Sequence, residues 1–582
     1  SDGRFFADGN FTVRGPAGAT KILLRSGPEY VPLTLEVTAK IGQRQRLRAH
    51  LARWFSTVER GWYGGESHVH TKHDSSGEVQ NDGAYTALQA RAQGLSFLSQ
   101  ASKGSGDEDP TPLSTPDFLF RNAFELGGGP FIGHITTPGI TQQLANTTYN
   151  AAYAGTLPIQ HLLDPIHALG GVIVYTHPLA PPTQLHWMGA TEVYSDAVLG
   201  RCADLFDIDS RATKMVWFSL LNLGNRIAAS SYTDSALERA GSTSPGDRRL
   251  YCHAREFSYK AIIDGMRNGH TFATNGGPVF PFFTVNGHEP GDLLPLPGDH
   301  QAKAHIEIHT LYPLKSVEVY RKGNLAHAFP VSGQKGAVTL DYRFAESEPS
   351  WYVLRAEDDH GNWAITSPVY FGDLKPAARH AGVVLFEISN HTHMVELRRS
   401  FFAHLLVTVA PEDPLTEVVI LKDGQPLQRF APGGGDHVVA GQTPVTGRDG
   451  EYAPGWIWSR VQNRAVHFQA DWPVLETGWY SVEAQTASGK TIRTDACRFD
   501  ATNPNSRQLS LAQLTAEQVR LTRWGYAEEM PLADIHVPFE GDHWWYPTRQ
   551  FWNVKATFDG QSHEVGGGDP KWAQTNFRVK GG

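Results

Sequence analysis

Three features are scarce in this sequence: cysteine, long apolar runs and blocks of like charge. Three cysteines among 582 residues are too few for a disulfide framework. A single Cys202–Cys252 bridge stays open, although buried thiols are favoured. No apolar run reaches the roughly 18–20 residues that span a bilayer. A formal net charge of −9 without a basic block or stripe argues against nucleic acid as a partner.

Length and composition indicate a multidomain globular protein. A chain of 582 residues is too long for one hydrophobic core, so three or four domains are expected. Hydrophobic residues make up 40% and charged residues 19%, which argues against disorder. No signal-like apolar segment is found at the start. The expected location is periplasmic or secreted, with removal of an export signal left open.

Strand and helix patterns divide the chain. Residues 1–60 contain short strand-like runs such as Lys21–Arg25 and the alternating Leu33–Val37, and predict a small β domain. Residues 61–280 alternate strand-like with helix-like runs, which favours a parallel sheet or barrel. The strand-like runs are Leu95–Leu98 and Gly171–Tyr175, and the helix-like runs are Ala84–Ala92, Pro116–Phe124, Leu162–Leu169 and Tyr259–Arg267.

The remainder of the chain is predicted to be β and contains an internal repeat. Lys315–Gly323 resembles Leu415–Gly424, and Ser350–Ala356 resembles Gly478–Ala484. The second alignment places Val369 opposite Cys497, inside matching final strands. Two related Ig-like β-sandwiches in tandem are expected, over residues 281–375 and 380–582, with the second enlarged by a Gly-rich insertion.

An H-x-H pair, His68 and His70, ends an apolar-flanked run near the start of the α/β segment. If the run is a strand, both side chains point to one side, roughly 6–7 Å apart along it. Two imidazoles on one rigid element are a natural start for a metal site. Alone the motif is weak, because a chain with 26 histidines contains such pairs by chance.

Further residues with metal-ligand side chains follow other predicted strands: His134, His177 and Asp234. Strand ends of one barrel can bring such groups together on a cation that keeps a position open for water. Taken singly, each of these residues is better explained as a capping or hydrogen-bonded loop residue. Together with the H-x-H pair they predict a metal site.

Residues 61–290 resemble the polymerase-and-histidinol-phosphatase (PHP) superfamily, in particular its carbaryl-hydrolase-like branch. The motifs that carry the resemblance are Gly61-Trp62-Tyr63-Gly64-Gly65-Glu66-Ser67-His68-Val69-His70, Gly170-Gly171-Val172-Ile173-Val174-Tyr175-Thr176-His177-Pro178, Trp217-Phe218-Ser219-Leu220-Leu221-Asn222-Leu223-Gly224-Asn225-Arg226 and Gly269-His270-Thr271-Phe272-Ala273-Thr274-Asn275-Gly276. The resemblance implies a distorted (β/α) barrel whose strand ends bind one to three divalent metals.

The resemblance also implies roles for particular residues. His68 and His70 are similar to the first metal motif, His177 to a later single histidine and Asp234 to the terminal aspartate. His134 would complete the metal shell or shuttle a proton. Glu66, two residues before His68, would orient the site from behind the ligands.

One departure from the family pattern concerns the second strand, where the superfamily usually carries Thr-Asp-His. This chain has Ala101-Ser102 at the Asp-His positions, followed by Lys103. One or two divalent ions (Zn, Mn or Fe) are therefore expected rather than three. Lys103 could supply positive charge toward an anionic substrate or oxyanion, or it is a solvated loop lysine. Arg226 could bind a substrate anion, or it forms a structural ion pair.

The expected function is metal-dependent hydrolysis by a metal-bound hydroxide, acting on a carbamate, ester, amide or phosphoester. Two other readings stay open. One is a carbohydrate-active enzyme, for which Trp456-Ile457-Trp458 and His543-Trp544-Trp545-Tyr546-Pro547 could stack on sugars. The other is a non-catalytic binding protein on a degenerate barrel. The expected partner is a small-molecule or carbohydrate substrate, without a membrane span, and homo-oligomerisation is left open.

Overall fold

The structure is a computed structural model whose elements are mostly strands, with few helices. It describes residues 5–71, 81–102, 108–127, 133–140, 144, 159, 162–178, 193, 196, 202–209, 211–222, 224–237, 243–374, 383–395, 398–410, 415–430, 437–441, 455–461, 465–472, 476–494, 496–499, 506–513, 535–538, 551–558, 561–566 and 574–579. Among these residues no helix has the length and apolar character that a membrane crossing requires.

The first segment contains one antiparallel hairpin, β1 (Gly18–Leu24) and β2 (Leu33–Ala39). Both strands alternate exposed and half-buried residues, as their alternating sequence predicts. The chain is then tied to the next segment through Glu29, whose carboxylate accepts hydrogen bonds from Arg53 and Thr57.

The metal-ligand candidates lie in a sheet that curls into half of a barrel. Its strands are β3 (Trp62–His70), β4 (Phe97–Ser102), β5 (Leu119–Leu126), β6 (Ile135–Thr136), β7 (Val174–Tyr175), β8 (Leu205–Asp207), β9 (Ala228–Ser230), β10 (Ser235–Ala236), β11 (Arg249–His253) and β12 (Thr271–Thr274). The described helices here are α1 (Gly83–Ala92), α2 (Leu163–Ala168), α3 (Arg211–Asn222) and α4 (Tyr259–Asn268).

Strand direction places the candidate residues at one edge. β3, β4 and β5 are parallel, and β7, β8 and β9 are parallel to one another. β10 also runs parallel to β3. The buried faces of these strands pack against the helices around apolar side chains such as Phe97, Val174 and Ile262. The carboxyl ends of β3, β7 and β9 lead directly to His70, His177 and Asp234 respectively.

Two of the helices begin at side-chain caps that the sequence supplies. Asp82 accepts a hydrogen bond from the backbone N–H of Tyr85 at the start of α1, and Ser258 does the same for Ala261 at the start of α4. α4 ends at Gly269, whose φ of 79° is the left-handed conformation that glycine adopts readily. The expected helices Ala84–Ala92, Leu162–Leu169 and Tyr259–Arg267 are thus confirmed within a residue or two.

The expected helix Pro116–Phe124 is wrong, because residues 119–126 form strand β5. Every residue from Leu119 to Phe124 pairs in register with β4. Phe118 and Phe120, two positions apart, are both buried against Leu95 and Leu98. The apolar residues of this segment therefore follow the two-residue period of a strand rather than the period of a helix.

The chain continues in strands from Val279 onward, some of which belong to the half-barrel sheet and some to a separate sheet. These are β13 (Val279–Val285), β14 (Leu293–Leu294), β15 (Gln301–Thr310), β16 (Leu314–Arg321), β17 (Asn324–Ala328), β18 (Gly336–Ala345), β19 (Ser350–Asp358), β20 (Trp363–Thr366) and β21 (Val369–Phe371). β12 pairs with β20, and β13, β15 and β18 form a separate three-stranded sheet. An aromatic and aliphatic core between these two sheets includes Phe280, Val317 and Tyr352.

The C-terminal part of the described chain is also β. Its strands are β22 (Val383–Val395), β23 (Arg398–Ala410), β24 (Leu415–Lys422), β25 (Gln425–Phe430), β26 (His437–Gly441), β27 (Gly455–Val461), β28 (Ala465–Trp472), β29 (Gly478–Thr486), β30 (Thr491–Arg493), β31 (Cys497–Phe499), β32 (Ser506–Gln513), β33 (Ile535–Pro538), β34 (Phe551–Phe558), β35 (Gln561–Gly566) and β36 (Gln574–Val579). They form a ten-stranded and a five-stranded sheet.

The internal repeat has the same strand pairing in both copies. β16 pairs with β17 and β19, and β24 pairs with β25 and β29 in the same way, with a bulge at the equivalent place in each hairpin. Both hairpins turn through two residues of positive φ, Lys322-Gly323 and Asp423-Gly424. Tyr352 lies opposite Val369, and Tyr480 lies opposite Cys497. The alignment made from the sequence therefore describes a real structural repeat.

Two of the sequence hypotheses concern cysteine and tryptophan side chains. Cys202 and Cys252 are free thiols, half-buried and buried respectively, so no bridge joins them. Burial raises the pKa of both thiols. Trp456 and Trp458 lie in β27, for which the structure describes the backbone only, and residues 543–547 lie outside the described residues.

Candidate metal centre

Strand β3 presents the H-x-H pair as the sequence predicts. All nine residues of the strand are buried, and His68 and His70 lie on the same side of it. Their Nε2 atoms are 3.1 Å apart, closer than the spacing along the strand because the two rings converge. A neutral imidazole has one N–H and one acceptor nitrogen, so both rings can offer a lone pair to the same point.

Glu125, at the carboxyl end of β5, is the residue that the sequence analysis missed. Its carboxylate is buried, with Oε1 3.2 Å from Nε2 of His68 and Oε2 3.3 Å from Nε2 of His70. Oε1 also lies 2.8 Å from Nδ1 of His134 and 3.6 Å from Nε2 of His177. Glu125 therefore contacts four histidines and lies at the middle of the cluster. The sequence predicts a helix over Pro116–Phe124, so Glu125 is not recognised there as a carboxylate at the end of a strand.

Asp234 and His177 close the cluster from the loops after β9 and β7. Asp234 Oδ1 lies 3.2 Å from Nε2 of His68 and 3.3 Å from Nε2 of His70, and its Oδ2 lies 3.8 Å from Nε2 of His177. Both residues have positive φ, 33° for His177 and 52° for Asp234. Non-glycine residues are strained in this region, and such strain concentrates at functional sites.

The cluster contains overlapping groups that could hold a metal ion. One group is His68, His70 and Glu125, a second is His68, His177 and Asp234, and a third is Glu125, His134 and His177. Because Glu125 belongs to two of them, its carboxylate could join two neighbouring cation positions. Imidazole nitrogens and carboxylate oxygens are the ligands that Zn, Mn and Fe accept.

The chemistry of the donor atoms fits a cation. Four imidazoles and two carboxylates converge without a Lys or Arg side chain among the contacts of the cluster within the described residues. Nε2 of His177 is buried and has no hydrogen-bond partner in the described part of the chain. A buried ring nitrogen of this kind is costly unless a cation or a proton occupies the position it faces.

The pKa shifts of the clustered side chains also indicate that the cluster stabilises a positive charge. Burial opposes protonation of His70, yet Glu125 and Asp234 outweigh it and raise its pKa to about 9. Burial also opposes ionisation of Asp234, but the imidazoles, with His68 foremost, hold the pKa of its carboxyl well below the usual range. His68 behaves differently, because burial lowers its pKa. The cluster thus stabilises a shared positive charge between its carboxylates.

Buried carboxylates behind the cluster hold the two strained loops. Glu66 accepts hydrogen bonds from the backbone N–H and the hydroxyl of Thr233 and from the backbone N–H of Gly246 at 2.6 Å. Asp207, at the end of β8, accepts a hydrogen bond from the N–H of Tyr232 at 3.1 Å and a weak one from the N–H of His177 at 3.4 Å. These bonds fix the backbone just before Asp234 and at His177.

The remaining expected site residues lie elsewhere. Arg226 precedes β9, whereas Asp234 follows it, so the two lie at opposite ends of that strand, and Arg226 donates to the carbonyl of Gly291. Lys103 falls outside the described residues. At the position where the resemblance implies Asp-His, Ala101 of β4 pairs with Ala123 of β5. Both alanines are buried, and neither side chain offers a ligand atom.

Fold and site together define a β-rich protein with a curled half-barrel sheet and a buried histidine–carboxylate cluster that could hold a metal ion. Comparisons with family models, with curated proteins and with solved structures find no significant match for this chain.

Proposed function

We propose that this protein is a metal-dependent hydrolase of the PHP type, with a divalent-metal centre at the strand ends of a distorted barrel and Ig-like sandwiches after it. The observation that carries the proposal is the position of Glu125. Its two oxygens contact histidines from β3 and from the loops before β6 and after β7. A carboxylate shared in this way is suited to two neighbouring divalent ions.

The ligands divide into two sets around Glu125. By these distances His68, His70 and Asp234 would hold one ion, and His134 and His177 would hold the other, with Glu125 common to both. A divalent ion at such a site lowers the pKa of a bound water and polarises the oxygen of an electrophilic substrate group. Zn, Mn and Fe all suit this mixture of nitrogen and oxygen ligands.

The chain's own residues determine how substrate and protons approach. His68 and His70 are fully buried, whereas the side chains of His134 and Asp234 are 16% and 25% exposed. The centre therefore opens to solvent on the side of these two residues, and substrate would enter there. His134 contacts Glu125 through Nδ1, and where it does not hold an ion its partly exposed ring can instead pass a proton released by the attacking water to solvent or to the leaving group.

The proposed reaction is hydrolysis of a carbamate, ester, amide or phosphoester. Water supplies the hydroxyl to the carbonyl carbon or phosphorus, the bond to the leaving oxygen or nitrogen breaks, and the proton goes to that leaving atom. The Ala101–Ala123 pair occupies the place where a third set of ligands is expected, which favours a one- or two-ion centre. A periplasmic or secreted location remains part of this proposal.

The test is metal analysis of the purified protein after incubation with Zn, Mn or Fe. We expect about one to two ions per chain, with loss of metal in His68→Ala and His177→Ala and hydrolysis of carbamate, ester or phosphoester test substrates that needs the metal. A protein that retains no divalent ion would rule out the hydrolase. Metal binding without turnover of any test substrate would favour a non-catalytic binding protein instead.

A further inference from the structure

A second cleft lies at the end of the strands opposite the metal cluster. It is lined by residues that precede β8, β9 and β12, with Asp204, Arg226 and Arg267 among them, and by the turns around Gly291 and Pro368. Its volume is about 530 Å³. Clefts of this size, in the range of about 300–1,000 Å³, accommodate small organic ligands. The proposed hydrolytic reaction uses none of these residues.

Two arginines of the cleft carry positive charge that no described carboxylate neutralises. Arg226 donates from Nη2 to the carbonyl of Gly291 at 2.7 Å, and its guanidinium lies over the ring of Tyr370, 5.0 Å from the centroid. Arg267 donates from Nη2 to the carbonyl of Gly171, and its Nε is buried without a hydrogen-bond partner among the described residues. Neither guanidinium lies within ion-pair distance of a carboxylate in the described part of the chain.

The acidic residues of the cleft are engaged with other groups. Asp204 accepts hydrogen bonds from Nε2 of His167 at 2.9 Å and from the backbone N–H of Ile173 at 2.8 Å. Asp292 accepts one from the backbone N–H of Glu289 at 3.1 Å, and it lies 3.4 Å from Nδ1 of His288. Their charges are therefore partly satisfied away from the arginines, and the two guanidinium groups remain the unmatched charges of the cleft.

We propose that this cleft binds a small organic molecule through a phosphate or carboxylate group held by Arg226 and Arg267. A guanidinium offers parallel N–H donors in a planar fork that matches the oxygens of either group. One nitrogen of each guanidinium already donates to a backbone carbonyl, which fixes the orientation of the side chain. The other N–H groups remain as donors for a ligand. The cleft is larger than a phosphate or carboxylate group alone requires. Tyr370 and Leu293 line it and suit the organic part of the ligand.

The experiment is calorimetric titration of the metal-loaded protein with inorganic phosphate and, separately, with citrate, at constant ionic strength. We expect one saturable site for at least one of them. Arg226→Gln and Arg267→Gln should each weaken it roughly tenfold or more, since a charge-assisted hydrogen bond is lost. Glutamine retains a donor for the backbone carbonyl, so both variants should keep the melting temperature of the parent. Preference for phosphate or citrate identifies the anionic group.

Two controls separate this cleft from other sites of anion binding. Arg493→Ala removes an arginine that forms an ion pair with Glu483 far along the chain, and should leave binding unchanged. His177→Ala disrupts the metal centre, which itself could attract phosphate, and should also leave binding at the cleft unchanged. Absence of saturable binding by either anion overturns the proposal, as does binding that His177→Ala abolishes and the arginine variants do not affect. Neither result bears on the hydrolase proposal, which depends on the metal ligands alone.

Discussion

His177 and Asp234 face each other across the metal cluster, with Nε2 of the histidine 3.8 Å from Oδ2 of the aspartate, and both have left-handed backbone conformations. Each follows a short strand of the half-barrel, and each is held by a buried carboxylate behind it, Asp207 or Glu66. The strain is stored in the two loops that deliver ligands from the later strands. The loop conformation is therefore held by Asp207 and Glu66, separately from the contacts that His177 and Asp234 make within the cluster.

Asp234→Asn tests that separation. Asparagine tolerates positive φ better than most residues, so the loop should keep its conformation while the carboxylate is lost. We expect metal affinity to fall by at least the roughly 10–100-fold that is typical when a partner of a ligand is removed. The melting temperature of the metal-free protein should stay close to that of the parent. Metal competition with a chelator and thermal unfolding measure the two quantities, and unchanged metal affinity would remove Asp234 from the ligand set.

Glu125→Gln and His134→Ala test whether Glu125 is shared between two ions. Glutamine has the same shape but no charge, so it should reduce occupancy of both cation positions. His134→Ala should reduce only the position that it shares with His177. Elemental analysis of metal per chain distinguishes the two, with His305→Ala, an exposed histidine paired with Asp341, as the matched control. Equal stoichiometry in Glu125→Gln and His134→Ala would argue against a shared carboxylate.

Glu66→Gln tests the support behind the cluster. The Glu66 carboxylate accepts three hydrogen bonds from Thr233 and Gly246, and an amide oxygen can replace only part of them. We expect a loss of metal affinity of about 10–100-fold with the ligands themselves intact. Glu59→Gln, in the short 3₁₀ helix Val58–Arg60 before β3, serves as a control that should have no effect. An affinity equal to that of the parent would show that these bonds do not position Asp234.

The metal-free protein should lose stability as pH rises from about 6.5 to about 9. The pKa of His70 is raised from 6.5 to about 9, so its protonated form stabilises the fold fully below pH 6.5 and the contribution is lost toward pH 9. Burial also raises the pKa of the Glu66 carboxyl from 4.5 to about 8. Because the folded protein favours the protonated form, stability falls as pH rises from about 4.5 to about 8, in the same direction as for His70. Chelator-treated protein unfolded by heat or urea across this range measures the slope.

Metal should reverse part of that pH dependence. Ligands must be deprotonated to bind a cation, so metal affinity grows as pH rises. The difference in melting temperature between loaded and chelated protein should therefore widen from pH 6.5 to 9. In His70→Gln the metal-free protein should show a shallower slope. A metal-free melting temperature that increases across this interval would contradict the charge distribution described here.

Gly65→Ala tests the close approach of β3 to β4. A Cβ at Gly65 would lie 2.3 Å from Cδ1 of Phe97, which is buried. We expect a loss of about 1–3 kcal/mol in the free energy of unfolding, as for other overpacked cores. Displacement of the strand should also weaken metal binding through His68 and His70. Gly298→Ala, where a Cβ would meet nothing within 4 Å, is the matched control.

The sequence predicted the parts of this site that depend on local pattern. A strand that ends in H-x-H places both imidazoles on one side whatever the rest of the fold does, and His134, His177 and Asp234 each follow a recognisable apolar run. Glu125 was not predicted as a ligand because pairing with β4, a long-range contact, determines that Leu119–Leu126 form a strand rather than a helix. Arg226 precedes β9 and Asp234 follows it, so nearness in sequence to Asp234 does not give nearness along the strand.

The ladder between β12 and β20 has a consequence for synthesis of the chain. Residues Phe272–Thr274 pair with β11 along one edge, but their partners along the other edge, Ala364–Thr366, come about ninety positions later, so β12 is a rim strand until they are made. Until those residues have left the ribosome, the rim strand presents unpaired N–H and C=O groups that invite wrong partners. The metal-ligand strands β3 to β9 are then already made. Production of a fragment that ends near residue 280 should consequently yield aggregates. The nascent chain would complete the half-barrel sheet only after β20 has been synthesised.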